Sequence, residues 1–125
     1  MKSNRFAAIA AFLGGLAVIL GAFGAHALAE KVSAKDLDIW KTGAQYHLIH
    51  AVALLALALA DRKGRFTAVC WLWIAGIAIF AGSLYILVLT QVRVMGAITP
   101  LGGLCLIIGW LLLGIKLLKE QPSEN

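Results

Sequence analysis

Four stretches of this chain contain no Asp, Glu, Lys or Arg: Phe6–Ala29, Thr42–Ala60, Phe66–Val92 and Val94–Ile115. Wound as an α-helix at ~1.5 Å per residue, each reaches about the ~30 Å thickness of a bilayer core or exceeds it. None shows the strict polar–apolar alternation of a barrel strand. In lipid, every backbone N–H and C=O must be satisfied within the protein, which leaves helices as the structure these runs can adopt. The spacing predicts an all-α membrane protein, a four-transmembrane-helix bundle with helices at about 6–29, 42–60, 66–91 and 96–118. Nearly the whole chain is consumed, so residues 1–120 are expected to form a single domain, with 121–125 as a frayed tail. No soluble catalytic domain is left over, in keeping with a chain that is 62% hydrophobic.

The first run follows Lys2 and Arg5 and ends in Ala27-Leu28-Ala29, which imitates a secretory signal and its small-residue cleavage site. Its length argues otherwise. A signal h-region covers about 7–15 residues, whereas Phe6–Ala29 covers ~36 Å as a helix. It is expected to be a helix that stays in the protein.

The net charge of +5 raises the question of a polyanionic partner. Its distribution answers it. Lys2, Arg5, Arg62, Lys63, Arg65, Lys116 and Lys119 flank one set of helix ends, and Lys31, Lys35, Lys41 and Arg93 flank the other. By the positive-inside rule both termini and the "DRKGR" turn are cytoplasmic. Topology and lipid head groups account for the basic residues, and no nucleic-acid partner is called for. Cys70 and Cys105 fall ~8 Å apart along the membrane normal and are expected to be free.

The connections carry their own signals. Ser33 and Asp36 form a capping-box pattern, with Val32 and Leu37 placed as a staple. A short interfacial helix is expected over about 34–41, between the first two spans, unless it runs directly into the second. Gly43 is the place for a bend. Asp61–Arg65 is a tight polar turn that makes spans two and three antiparallel neighbours. For the fourth helix two starts stay open. Thr99-Pro100 fits an N-cap and N1 pair, while a start near Met95 leaves Pro100 inside the helix.

Small residues recur at helical spacing: Ala10, Gly14, Ala17, Gly21 and Gly24 in the first span, Ala75, Ala78 and Gly82 in the third, Gly102 and Gly109 in the fourth. Gly14, Gly21, Gly24, Gly82, Gly102 and Gly109 are expected to be helix-packing positions, because small residues let backbones approach where lipid gives no hydrophobic drive to associate.

Polar residues gather in the outer half of the bundle. His26 ends span one; Thr42, Gln45, Tyr46, His47 and His50 enter on span two; Ser83, Tyr85, Thr90 and Gln91 lie on span three and Thr99 on span four. Counting from Asp61 puts His50 ~16 Å and His47 ~21 Å up the helix. A buried imidazole needs a partner for its N–H and another for its bare nitrogen, and Ser83, Tyr85 and Gln45 lie at suitable depths. The candidate polar cluster is His26, Gln45, Tyr46, His47, His50, Ser83, Tyr85 and Thr99. Alternatives are weaker. No carboxylate or thiol at that depth completes a metal shell around His47 and His50. His26 is ~10 Å too high for bis-His haem. A Ser83–His pair lacks an orienting acid. No catalytic residue, metal or cofactor is assigned.

Four ordered motifs carry a resemblance: "LGAFGAHAL" (20–28), "WKTGAQYHLIHAVALL" (40–55), "FAGSLY" (80–85) and "TPLGG" with "GW" (99–103 and 109–110). In these the chain resembles the domain-of-unknown-function family 423, the family of YgdD- and YwdK-like bacterial membrane proteins and of transmembrane protein 256. The resemblance implies a small four-span protein of the bacterial inner membrane and brings no activity with it. It carries over His26, Gly43, Tyr46, His50, Ser83, Tyr85, Thr99 and Pro100. Two classes of function follow. One is a non-enzymatic protein that packs with itself, a membrane-protein partner or lipid; the other binds a lipid head group, quinone or metal, or handles protons, around His50.

Overall fold

Each uncharged run closes its own backbone hydrogen bonds, and four long helices result. In the computed structural model, which describes residues 2–120, they are α1 (Lys2–Phe23), α2 (Ala34–Ala60), α3 (Thr67–Thr90) and α4 (Met95–Lys119). A π-helical turn, Gly24–Leu28, extends α1. The expected tail at 121–125 lies outside the described residues. Four segments are long and apolar enough to cross a membrane: Asn4–Leu28, Ala34–Ala60, Thr67–Thr90 and Met95–Lys119. The architecture is a four-helix membrane bundle whose close pairs are α1–α2, α2–α3 and α3–α4. The helices therefore follow one another in chain order, with α2 and α3 the more enclosed and α1 and α4 more exposed to lipid.

The expected interfacial helix is not a separate element. Ser33 Oγ accepts the Asp36 N–H at 3.1 Å, capping a helix that runs unbroken from Ala34 to Ala60. Trp40 does not rest in the interface as an amphipathic helix would require. It is buried, its indole N–H donates to the Leu20 carbonyl at 2.8 Å, and its ring packs at a tilt against Tyr85 and Phe23. Burial of that ring holds the first turns of α2 in line with the rest. Gly43 is likewise no bend: a Cβ there would lie 3.2 Å from the Tyr85 ring, so it admits α3 to close approach.

Of the two starts left open for the fourth helix, the structure takes Met95. Its first turn is closed by tight bonds from Met95, Gly96 and Ala97 to carbonyls three residues back. Pro100 sits inside α4 and offers no N–H to the Gly96 carbonyl. The Thr99 hydroxyl donates to the neighbouring Met95 carbonyl at 3.2 Å.

The small-residue positions divide. On α1 the buried seam is Phe6, Ala10, Ala17, Gly24 and Leu28. A Cβ on Gly24 would sit 2.5 Å from Trp40 Cδ1, so glycine there makes room for the indole. On α4, a Cβ on Gly102 would strike the Phe80 backbone and one on Gly109 would meet Trp73 Nε1 at 2.5 Å. Gly76 on α3, outside the expected set, receives Leu106 in the same way. Gly21 and Gly82 have open space around the Cβ position, and Gly14 makes only ordinary contact with Ala51. Of the expected positions, Gly24, Gly102 and Gly109 thus meet a neighbour closely, and Gly14, Gly21 and Gly82 do not.

Two core clusters follow. Near the Asp61 end, Phe6, Leu54, Phe66, Val69, Trp73, Ile77 and Leu106 draw all four helices together. At the opposite end Leu28, Trp40, Ala81, Tyr85, Leu87 and Val88 form a second cluster. Asp61 is buried and accepts the Arg65 and Phe66 N–H groups at 2.9 Å each, which sets the tight turn between α2 and α3. Cys70 is buried, Cys105 half-buried, and both are free.

Candidate functional site: the polar cluster between the two cores

His47 and His50 are three residues apart, so they point ~60° from each other around α2. Each finds a different neighbourhood. His47 is 2% exposed, and its Nδ1 lies 2.9 Å from the Tyr85 hydroxyl on α3. The Leu13 carbonyl of α1 bears on the same ring, yet no atom meets hydrogen-bond geometry with Nε2. The arrangement favours a phenol that donates to Nδ1, leaving the N–H on Nε2 turned toward α1.

His50 is held at both nitrogens. Nδ1 lies 2.8 Å from the Tyr46 carbonyl, one turn earlier, and a carbonyl can only accept. Nε2 receives the Trp110 indole N–H at 2.9 Å, and an indole can only donate. Together the partners fix a neutral imidazole with its proton on Nδ1. The Tyr46 ring lies nearly parallel to that of His50, 12° apart in plane, and Trp73 and Trp110 meet it edge-on. Trp73 in turn donates to the Leu106 carbonyl at 3.3 Å.

The expected cluster is thus two clusters and some outliers. His50 does not pair with Tyr85 or Ser83. Tyr85 belongs to His47, and the Ser83 hydroxyl lies 2.6 Å from that of Thr99, tying α3 to α4, with the Phe80 carbonyl 3.0 Å from the same oxygen. Ser83 and Tyr85 are two residues apart, ~200° around α3, so one histidine cannot meet both. No serine–histidine pair forms in this cluster. Gln45 is exposed on α2, and His26 is exposed in the π-helical turn; neither joins the others. Among the described residues no group of three or more His, Cys, Asp or Glu side chains could hold a metal ion.

Two features escaped the sequence. Trp110 was the missing partner, and its height gave a signal: it lies ~14 Å from the Lys119 end of α4, against ~16 Å for His50 above Asp61. The second is a polar network at the Asp36 end. The Gln91 amide N–H donates to Asp36 Oδ2 and to the Val88 carbonyl, both at 2.8 Å. Arg93 donates from Nη1 to Asp36 Oδ1 at 3.2 Å and from Nη2 to Gln91 Oε1 at 2.7 Å. Gln91 caps α3 in the left-handed conformation at φ 61, unusual for a residue with a side chain. The pairing of "QVR" with Asp36 across the bundle has no local signature.

Beside His50 a cleft of about 290 Å³ is lined by Tyr46, Phe80, Leu106, Ile107 and Trp110. Its walls are nearly all apolar, and both ring nitrogens of its histidine are already taken. It can hold an apolar chain or ring.

A family model described as a protein of unknown function, DUF423, matches residues 20–103, which include all of α2 and α3 and therefore both histidines, with Trp110 beyond the matched stretch. The chain belongs to this family. It is 51% identical over 108 residues to the UPF0382 membrane protein YwdK of Bacillus subtilis (strain 168), covering 83% of this chain and 88% of that one. It is 47% identical over 106 residues to a UPF0382 membrane protein of Staphylococcus epidermidis (strain ATCC 12228 / FDA PCI 1200), covering 83% and 87%. A Haemophilus influenzae UPF0382 membrane protein is 38% identical over 120 residues, 94% of this chain and 97% of that one. No solved structure matches the chain. DUF423 members such as this one are multi-pass membrane proteins, in accord with the four apolar helices.

Proposed function

We propose that this DUF423 protein is a non-enzymatic component of the bacterial cytoplasmic membrane, with both termini and the Asp61–Arg65 turn on the cytoplasmic side. Its role is contact with lipid and with membrane-protein partners or further copies of itself. One observation carries this reading: the midplane His50, the best-placed group for proton or ligand work, has both ring nitrogens engaged by Tyr46 and Trp110. A general base or metal ligand needs a free lone pair, and His50 has given its own to an indole. The alternative, a small-ligand site around His50, draws support from the adjoining cleft, whose apolar walls suit a lipid chain or quinone ring better than a metal.

The two readings separate on His50→Gln and His50→Leu, expressed in a strain lacking the native protein. A structural His50 predicts that membrane integrity follows the amount of folded protein, with Gln milder than Leu because an amide also donates and accepts. Loss of the phenotype in both variants at wild-type abundance and stability would establish the alternative.

A further inference from the structure

We infer that the Asp36 end of the bundle carries a binding pocket for a phosphate monoanion, supplied by the head group of a membrane phospholipid. The pocket has a volume of about 470 Å³ and is lined by Lys31, Ser33, Asp36, Val88, Gln91 and Arg93 among others. Its level in the membrane follows from length. The 27 residues of α2 span ~40 Å, about 10 Å more than the hydrocarbon core. With Asp61 at one boundary, the first turns of α2 project into the head-group layer at the other, and the pocket opens there.

The charge fits one phosphodiester. Lys31 and Arg93 bring two positive charges and Asp36 one negative, leaving a single positive charge in excess. Asp36 is 4% exposed and acts as a positioning residue: together with Gln91 it takes up two of the five N–H donors of Arg93 and fixes the guanidinium plane. The remaining donors stay available at a side chain that is 58% exposed. The Lys31 ammonium meets no hydrogen-bond or ion-pair partner among the described residues. A left-handed Gln91, unfavourable for its residue type, is held in place by the bonds that orient Arg93.

This inference rests on the lipid-contact reading, but its test does not use His50. Purified protein is titrated with dioleoyl phosphatidylglycerol and with dioleoylglycerol, which shares the chains and lacks the phosphate, and bound lipid is read by native mass spectrometry. The wild type should retain the phosphatidylglycerol preferentially. Lys31→Gln breaks no contact in the fold and should weaken retention about fivefold, the worth of one basic residue at an anionic surface. Arg93→Gln should do at least as much, while Lys35→Gln, exposed on α2 but outside the pocket, should change it less than twofold. Lys35→Gln matching Lys31→Gln, or equal retention of the two lipids, would overturn the pocket and leave the His50 test standing. A competition arm with inorganic phosphate sorts the source. Displacement that depends on Lys31 would assign the site to soluble phosphate and overturn the lipid; no displacement supports the lipid.

Discussion

Trp110→Phe and His50→Leu, made singly and together, isolate the hydrogen bond on which the reading of His50 depends. Trp110→Phe keeps an aromatic ring beside Trp73 but removes the N–H, so His50 Nε2 is left with a bare lone pair at the edge of an apolar cleft. His50→Leu leaves the indole N–H without an acceptor on a side chain that is 44% exposed to lipid, where no water replaces it. Each single change should cost about 1–3 kcal/mol, the penalty for orphaning one partner. The double variant orphans neither, so its cost should fall short of the sum. Interhelical hydrogen bonds in membranes couple by ~0.6 kcal/mol on average and ~1.7 kcal/mol at most. The bond here is 2.9 Å long, joins α2 to α4, and runs between helices with little other contact, so about 1 kcal/mol is expected. The assay is equilibrium unfolding in mixed micelles with increasing SDS, followed by far-ultraviolet circular dichroism because a tryptophan is being removed. Additivity within ~0.3 kcal/mol would mean that the bond carries no stability, and the reasoning would fail.

Three further outcomes are expected. Gly102→Ala should lower thermal stability by overpacking against the Phe80 backbone, at a cost of about 1–3 kcal/mol, whereas Gly21→Ala, facing open space, should be neutral or raise it through better helix propensity. Melting curves of the two purified variants test the division of the glycines, and equal losses would refute it. Reporter fusions at Asn125 and at Lys63 should both read as cytoplasmic and one at Lys35 as external, following the seven-to-four split of basic residues. Any other pattern inverts the placement of the phosphate pocket as well. Asp61→Ala should destabilise by about 1–3 kcal/mol because two N–H groups of the turn lose their acceptor, the Phe66 N–H in a buried setting; unchanged unfolding in the same SDS titration would contradict that role.

Hydropathy made the four helices legible, because runs such as Phe66–Val92 leave one solution in lipid and end where charge begins. The Ser33 cap was legible too, since it is written in four neighbouring residues. What stayed hidden is rotational. Counting along a helix gives the height of His50 but not the direction in which it points, so height alone does not separate Tyr85 and Ser83 from Trp110. Direction depends on which helices touch, and the serial α1–α2–α3–α4 packing has no signature in any one helix. The capping-box reading of Asp36 found its backbone role and missed that its carboxylate turns to Gln91 and Arg93. The π-helical turn at Gly24–Leu28 was equally hidden; Gly24 within it lies against the Trp40 ring of another helix.

His50 is held as a neutral imidazole by its two partners, the Tyr46 carbonyl and the Trp110 indole. Nitrogen NMR of the protein labelled at both its histidine and its tryptophan nitrogens, in lipid at neutral pH, reads that state. A protonated Nδ1, a bare Nε2, and a through-bond coupling between His50 Nε2 and the Trp110 indole nitrogen are expected. A proton found on Nε2, or no coupling to Trp110, would contradict it.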